Sequence, residues 1–154
     1  MLSRPTTEQI LLDCRAELLS TISRAITDRS AEIAIQMMEN VLRNCAERAA
    51  HEIAWMHDEI ADMIGFADEV AGSPASTQGV TSALSTYRAE RSDSLHLDDV
   101  CATYSLASEC LSHALEAALA AGDDDLHSRG RAVLDRRLAH ERQIMGEWTM
   151  VGRA

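Results

Sequence analysis

The chain has 154 residues, 46% of them hydrophobic, and a formal net charge of −11. That length suits one domain, residues 1–154, with one sizeable core, and that hydrophobic share excludes a disordered polymer. The acidic surface repels phosphate backbones, which disfavours nucleic acid as a partner.

Aromatic residues make up only 3% of the chain, Ala and Leu are abundant, and the only prolines are Pro5 and Pro74. The mix favours helix over pleated sheet. Every basic residue is Arg. The acids are unevenly spread. From Glu52 to Glu69 and from Asp98 to Asp125 there are acids and no Arg, whereas Arg129 to Arg153 is net basic. Charge runs of opposite sign fit neighbouring helices that complement one another within the chain. Cys14, Cys45, Cys101 and Cys110 form no C-x-x-C pair, and Arg4, Glu8 and Asp13 interrupt any secretory apolar run after Met1. No stretch approaches the ~18 apolar residues of a membrane span. Reduced thiols, a cytoplasmic location and no membrane partner are therefore expected.

In chain order, Thr6 or Thr7 caps a first helix over 7–25, with Ile10, Cys14, Leu18, Ile22 and Ile26 on one apolar face beside Leu11 and Leu19. Ser30 caps a second helix over 31–71, ~60 Å long at 1.5 Å per residue. Its main stripe is Ile35, Met38, Leu42, Cys45, Ala49, Ile53, Met56, Ile60, Met63 and Ala67, in alternating steps of three and four. Residues 72–79, GSPASTQG, read as a loop, and 80–91 as a short extra helix covering part of the long second helix. A further helix starts at Leu97 or Asp98, carries Val100, Tyr104, Ala107, Leu111, Leu115 and Ala118 inward, and stops at Gly122. Asp123 to Asp125 start a last helix that runs to about Met150, with Leu134, Leu138, Ile144, Met145 and Trp148 inward. The expected fold is all-α: an antiparallel up-and-down bundle of four main helices.

A second stripe lies about a third of a turn from the first on the long helix: Ile33, Met37, Val41, Trp55 and Phe66, interrupted by Asn44, Arg48 and His51. Two apolar faces on one helix fit cover by a neighbouring helix, a ligand groove, or contact with another chain. Trp, Phe and Met are enriched in interface cores, and a polar break within such a seam sets register. These eight residues are the candidate interface of a homodimer.

Chemical constellations are sparse. His51 and His57 are six apart and do not share a helix face, unlike the i, i+4 pair of zinc proteases. Glu47 with His51, and Glu109 with His113, stand at i+4 and not at the i+3 spacing of di-iron bundles. Arg137 and Glu141 are four apart, which suits a semi-buried ion pair, and they are also placed to meet Arg48 or Glu52 in a polar core. No phosphate loop, nucleophile elbow or zinc-finger spacing is present. No catalytic residue, metal site or cofactor is assigned.

The opening RPT at Arg4 to Thr6, leading into an amphipathic helix, resembles one uncharacterised bacterial family of small helical domains. So does LSHALEAALAAG, Leu111 to Gly122, followed by an acidic turn and a final helix. That family is encoded beside aminoglycoside-phosphotransferase-like kinases and acyl-CoA dehydrogenases. The resemblance implies an accessory role near acyl-CoA or phosphotransfer metabolism, with such an enzyme as partner, and it carries over no catalytic residue. The expected function is a non-catalytic helical interaction or accessory protein. The alternative is a small-ligand or metal-binding bundle that uses His and Glu side chains.

Overall fold

Every described element is a helix, as the Ala- and Leu-rich, proline-poor composition requires. The computed structural model describes residues 4–146. Helix α1 (Thr7–Glu17) continues through a π-helical stretch, Leu18–Ile22, into a closing α-turn, Ser23–Ala25. Then follow α2 (Arg29–Ala71), α3 (Gln78–Glu90), α4 (Leu97–Ala121) and α5 (Asp124–Met145). No strand occurs among the described residues, and no described helix is long and apolar enough to cross a membrane.

The helix ends follow from local chemistry. Thr6 and Gln9 form a reciprocal capping box at α1, with Thr6 Oγ1 accepting from the Gln9 amide at 3.2 Å. At α2 the cap is Asp28, two residues earlier than the expected Ser30: its Oδ2 accepts from the Ala31 amide at 2.9 Å. A carboxylate there also faces the positive end of the helix dipole, which a serine hydroxyl does less well. Thr77 caps α3. Gly122 ends α4 with φ 65°, a left-handed conformation that favours glycine. Asp123 Oδ1 accepts from the Leu126 amide at 2.9 Å to open α5.

The chain divides into two compact units: residues 4–52 with 141–146 among those described, and Ile53–His140. Both α2 and α5 contribute to each. In the second unit, Ile60, Met63, Phe66, Ala67 and Val70 of α2 join Val80, Leu84 and Tyr87 of α3, Ala107, Cys110, Leu111 and Ala114 of α4, and Leu126 and Val133 of α5 in one buried cluster. Fully burying a side chain of the Val, Leu or Met class contributes about 1.5–3 kcal/mol. The segment read as a short extra helix is thus a full 13-residue helix with its own share of the core, so the helices number five among the described residues rather than four and a fragment.

The acidic run from Glu52 to Glu69 meets basic side chains of neighbouring helices, as expected. In this unit Asp62 pairs with Arg136 at 2.5 Å, Glu69 with Arg129, and Asp68 with Arg88 at 2.5 Å. The inward face of α5 differs from the expectation. Leu126, Gly130 and Val133 are buried, while Leu134, Leu138 and Met145 are exposed. Gly130 explains the shift, because a Cβ there would meet Leu115 Cδ2 at 2.6 Å and the Phe66 ring at 2.9 Å. There is no room for a side chain at that position, so the glycine face is the one that turns inward. Trp148, and the stretch of α5 expected to reach Met150, lie outside the described residues.

The first unit is different in kind. Its buried hydrophobic residues are Leu18, Ile35 and Ala46 alone among those described. The Arg15 guanidinium pairs with Glu39 at 2.5 Å and ties α1 to α2. At the C-terminal end of α5, Arg43 donates to the Met145 carbonyl at 3.0 Å, the Gln143 amide donates to Glu47 at 2.7 Å, and the Asn44 amide reaches the Ile144 carbonyl at 2.7 Å. Of the apolar face assigned to the first helix, only Leu18 is buried; Ile10, Cys14, Leu19 and Ile22 are exposed. The upper part of the main stripe on α2 is also open at Met38, Cys45, Ala49 and Ile53. Periodicity places these residues on common faces, but among the described residues too little apolar surface opposes them.

Candidate functional site

The densest gathering of polar side chains is in the second unit, around Glu59. The period of α2 puts Trp55 and Glu59 on one face, four residues apart, and the period of α5 does the same for Arg137 and His140. Tyr104 of α4 completes the group. Glu59 is only 7% exposed although it carries a carboxylate, and burial of such a group is tolerated only with full pairing. Its Oε2 accepts from the Tyr104 hydroxyl and lies 3.4 Å from Arg137 Nε. Its Oε1 is 2.7 Å from His140 Nδ1. Arg137 Nε also donates to the Tyr104 hydroxyl at 3.0 Å, and its guanidinium sits 5.4 Å from the Tyr104 ring centroid. The His140 ring stacks on Trp55, centroids 4.8 Å apart and planes within 6°.

Burial, reinforced by the hydrogen bond to the Glu59 carboxylate, pushes the Tyr104 hydroxyl up to about 12. It is therefore a neutral donor at physiological pH, neither a base nor a nucleophile. Both carboxylate oxygens of Glu59 are engaged, so the group is a closed lock joining α2, α4 and α5 by charge-assisted bonds. Such a lock fixes register and leaves no oxygen of Glu59 open for a substrate.

The sequence missed this centre in an instructive way. Arg137 pairs with Glu59 and Tyr104, whereas the exposed Glu141 is not its partner. Arg48 pairs with Glu52 inside the first unit. Glu59 stands beside Ile60 and Met63 of the buried stripe. An acid at that position demands buried partners, and Tyr104 was already placed inward, so the signal was present.

The eight candidate interface residues divide into two sets. Ile33, Met37 and Val41 are exposed, Met37 at 63% and Val41 at 59%. The others meet the chain itself. Asn44 faces the Ile144 carbonyl, Arg48 pairs with Glu52, His51 lies 3.8 Å from Glu47, and Trp55 stacks on His140. Phe66 is 4% exposed, packed over Gly130. The lower part of the second stripe is covered within the chain because α5 lies against it there.

The histidine–carboxylate pairs do not assemble. His113 turns to Glu116 at 3.7 Å and lies over Gly79, while Glu47 is shared between Gln143 and His51. Among the described residues, no three His, Cys, Asp or Glu side chains come close enough to share a metal ion. No protein-family model, no curated protein and no solved structure matches the chain.

Proposed function

We propose that the chain is a non-catalytic helical interaction protein that works as a homodimer, an antiparallel up-and-down bundle whose first unit is completed by a second copy. The observation that carries this reading is the imbalance of the first unit. Beside only Leu18, Ile35 and Ala46 buried, it exposes Ile10, Leu19 and Ile22 around α1 and Ile33, Met37, Met38 and Val41 on α2. So many large apolar side chains left exposed on one small unit are what an interaction surface shows. Side chains of this size, each about half exposed, supply apolar area on the scale of the ~800 Å² per partner that a standard interface buries.

A second copy suits the surface for a geometric reason. Ile33 and Val41 stand four residues either side of Met37. A twofold axis passing by Met37 then sets Met37 on its equivalent and Ile33 of each copy on Val41 of the other. The axis sits higher on α2 than the Asn44 to His51 break expected to mark the crossing, because those side chains are already engaged. On the resemblance of the two chain ends, such a dimer would serve an enzyme of acyl-CoA or phosphotransfer metabolism.

The test is sedimentation of the full chain at tens of micromolar, wild type beside a Met37→Glu, Val41→Glu double variant. The wild type is expected to be a dimer and the variant a folded monomer with unchanged helical circular dichroism. A monomeric wild type, or a variant that stays dimeric, overturns the proposal.

A further inference from the structure

The loop from α3 to α4 closes over a small cleft of about 90 Å³ in the second unit, backed by Ile60 and Val100 and lined by His57, Tyr87, Arg91, Ser92, Ser94 and Thr103, with Asp93 at its edge. Two features set this cleft apart. Tyr87 is 6% exposed, yet no described group takes up its hydroxyl. No side-chain polar atom in the described protein is both sealed from solvent and unpartnered, so the hydroxyl keeps access to solvent, and Tyr87 lines the cleft. The other hydroxyls form a relay that uses their acceptor side. Thr103 Oγ1 accepts from the Ser92 amide at 3.1 Å, Ser92 Oγ from the Ser94 amide at 3.2 Å, and Ser94 Oγ from the His96 amide at 3.2 Å. Each hydroxyl thereby keeps its proton to donate.

The lining is therefore rich in donors, with the Arg91 guanidinium as its cationic member and the His57 ring beside it. The only carboxylate, Asp93, is 92% exposed and reaches Arg91 no closer than 3.9 Å. A surplus of O–H donors beside a guanidinium fits a group that only accepts, an oxyanion, better than it fits a cation or an apolar group. The volume admits a head group of a few heavy atoms. The geometry points to a binding site for the anionic head group of a small carboxylate or phosphate, held by the Tyr87 and Thr103 hydroxyls with Arg91 and His57. This site is independent of the proposed dimer, and its test reads residues outside the dimer surface.

The experiment is a pair of nuclear magnetic resonance titrations of the full chain, one with sodium acetate and one with inorganic phosphate, at ionic strength held constant with sodium chloride. Saturable shifts at Tyr87, Ser92 and Thr103 with either probe are expected, and the probe that saturates names the head group. Removing one hydroxyl that donates to a charged ligand should weaken binding at least tenfold, in Tyr87→Phe or, should that variant fail to fold, in Thr103→Val. No saturable shift with either probe, or shifts that sodium chloride alone reproduces, means that the cleft holds only water and overturns the inference. Binding that both variants leave unchanged overturns it equally.

Discussion

Replacing Glu59 with Ala removes the acceptor on which three donors converge. Tyr104, Arg137 and His140 each lose their carboxylate partner. Breaking a buried ion pair from one side costs about 3–5 kcal/mol when the remaining charge is sealed in. Here the Arg137 and His140 side chains are 27% and 26% exposed, so water recovers part of that loss and about 2–3 kcal/mol is expected. The control is Asp62→Ala, which breaks the exposed pair with Arg136 on the same two helices and should cost no more than about 1 kcal/mol. Urea unfolding followed by circular dichroism measures both, with equal m-values required so that the difference reflects stability. The same loss in both variants would refute the reasoning, because the buried cluster would then be holding nothing that a surface pair does not.

Tyr104 gives a pH dependence. Its hydroxyl is raised from 10.0 to about 12 in the fold, so the neutral form is the one the fold prefers. Its contribution to stability is complete below pH 10 and is lost as the pH rises towards 12; ultraviolet absorbance should show one tyrosine ionising near 12 in the native protein. Gly130→Ala drives a methyl into Leu115 and Phe66 and should destabilise by about 1–2 kcal/mol. Gly65→Ala, with nothing within 4 Å of its new methyl, should stabilise by about 0.5–1 kcal/mol in the same unfolding assay. Burial pushes the Cys110 thiol up to about 11, while Cys14, Cys45 and Cys101 are exposed. A colorimetric thiol reagent at pH 8 should therefore modify those three quickly and Cys110 only on unfolding; fast reaction of all four would contradict its burial.

The helices were legible because their signals are local. Thr6, Gly122 and Asp123 act within one turn of the residues they cap, and the lower half of α2 buries the stripe its period describes. Which face meets which neighbour is a non-local matter. Gly130 decided the rotation of α5 through close approach to Phe66, and a lone glycine in a helical pattern does not announce that. The same limit hid the closed state of Glu59, whose partners come from helices about forty-five and eighty residues away in the chain. The apolar periodicity around Ile10, Ile22, Ile33 and Met37 was equally plain. It describes amphipathic helices without saying whether their apolar sides meet their own chain, and here Ile10, Ile22, Ile33 and Met37 stay exposed.

Hydrogen exchange of the full chain at two concentrations, one well above and one well below the proposed dimer's dissociation range, reads that open surface directly. Amides of α1 and of the first three turns of α2 should exchange more slowly in the concentrated sample, while those around Met63, Leu84 and Leu111 should be unchanged. Identical protection of α1 at both concentrations, in a sample that sedimentation shows to be a monomer, would contradict the account.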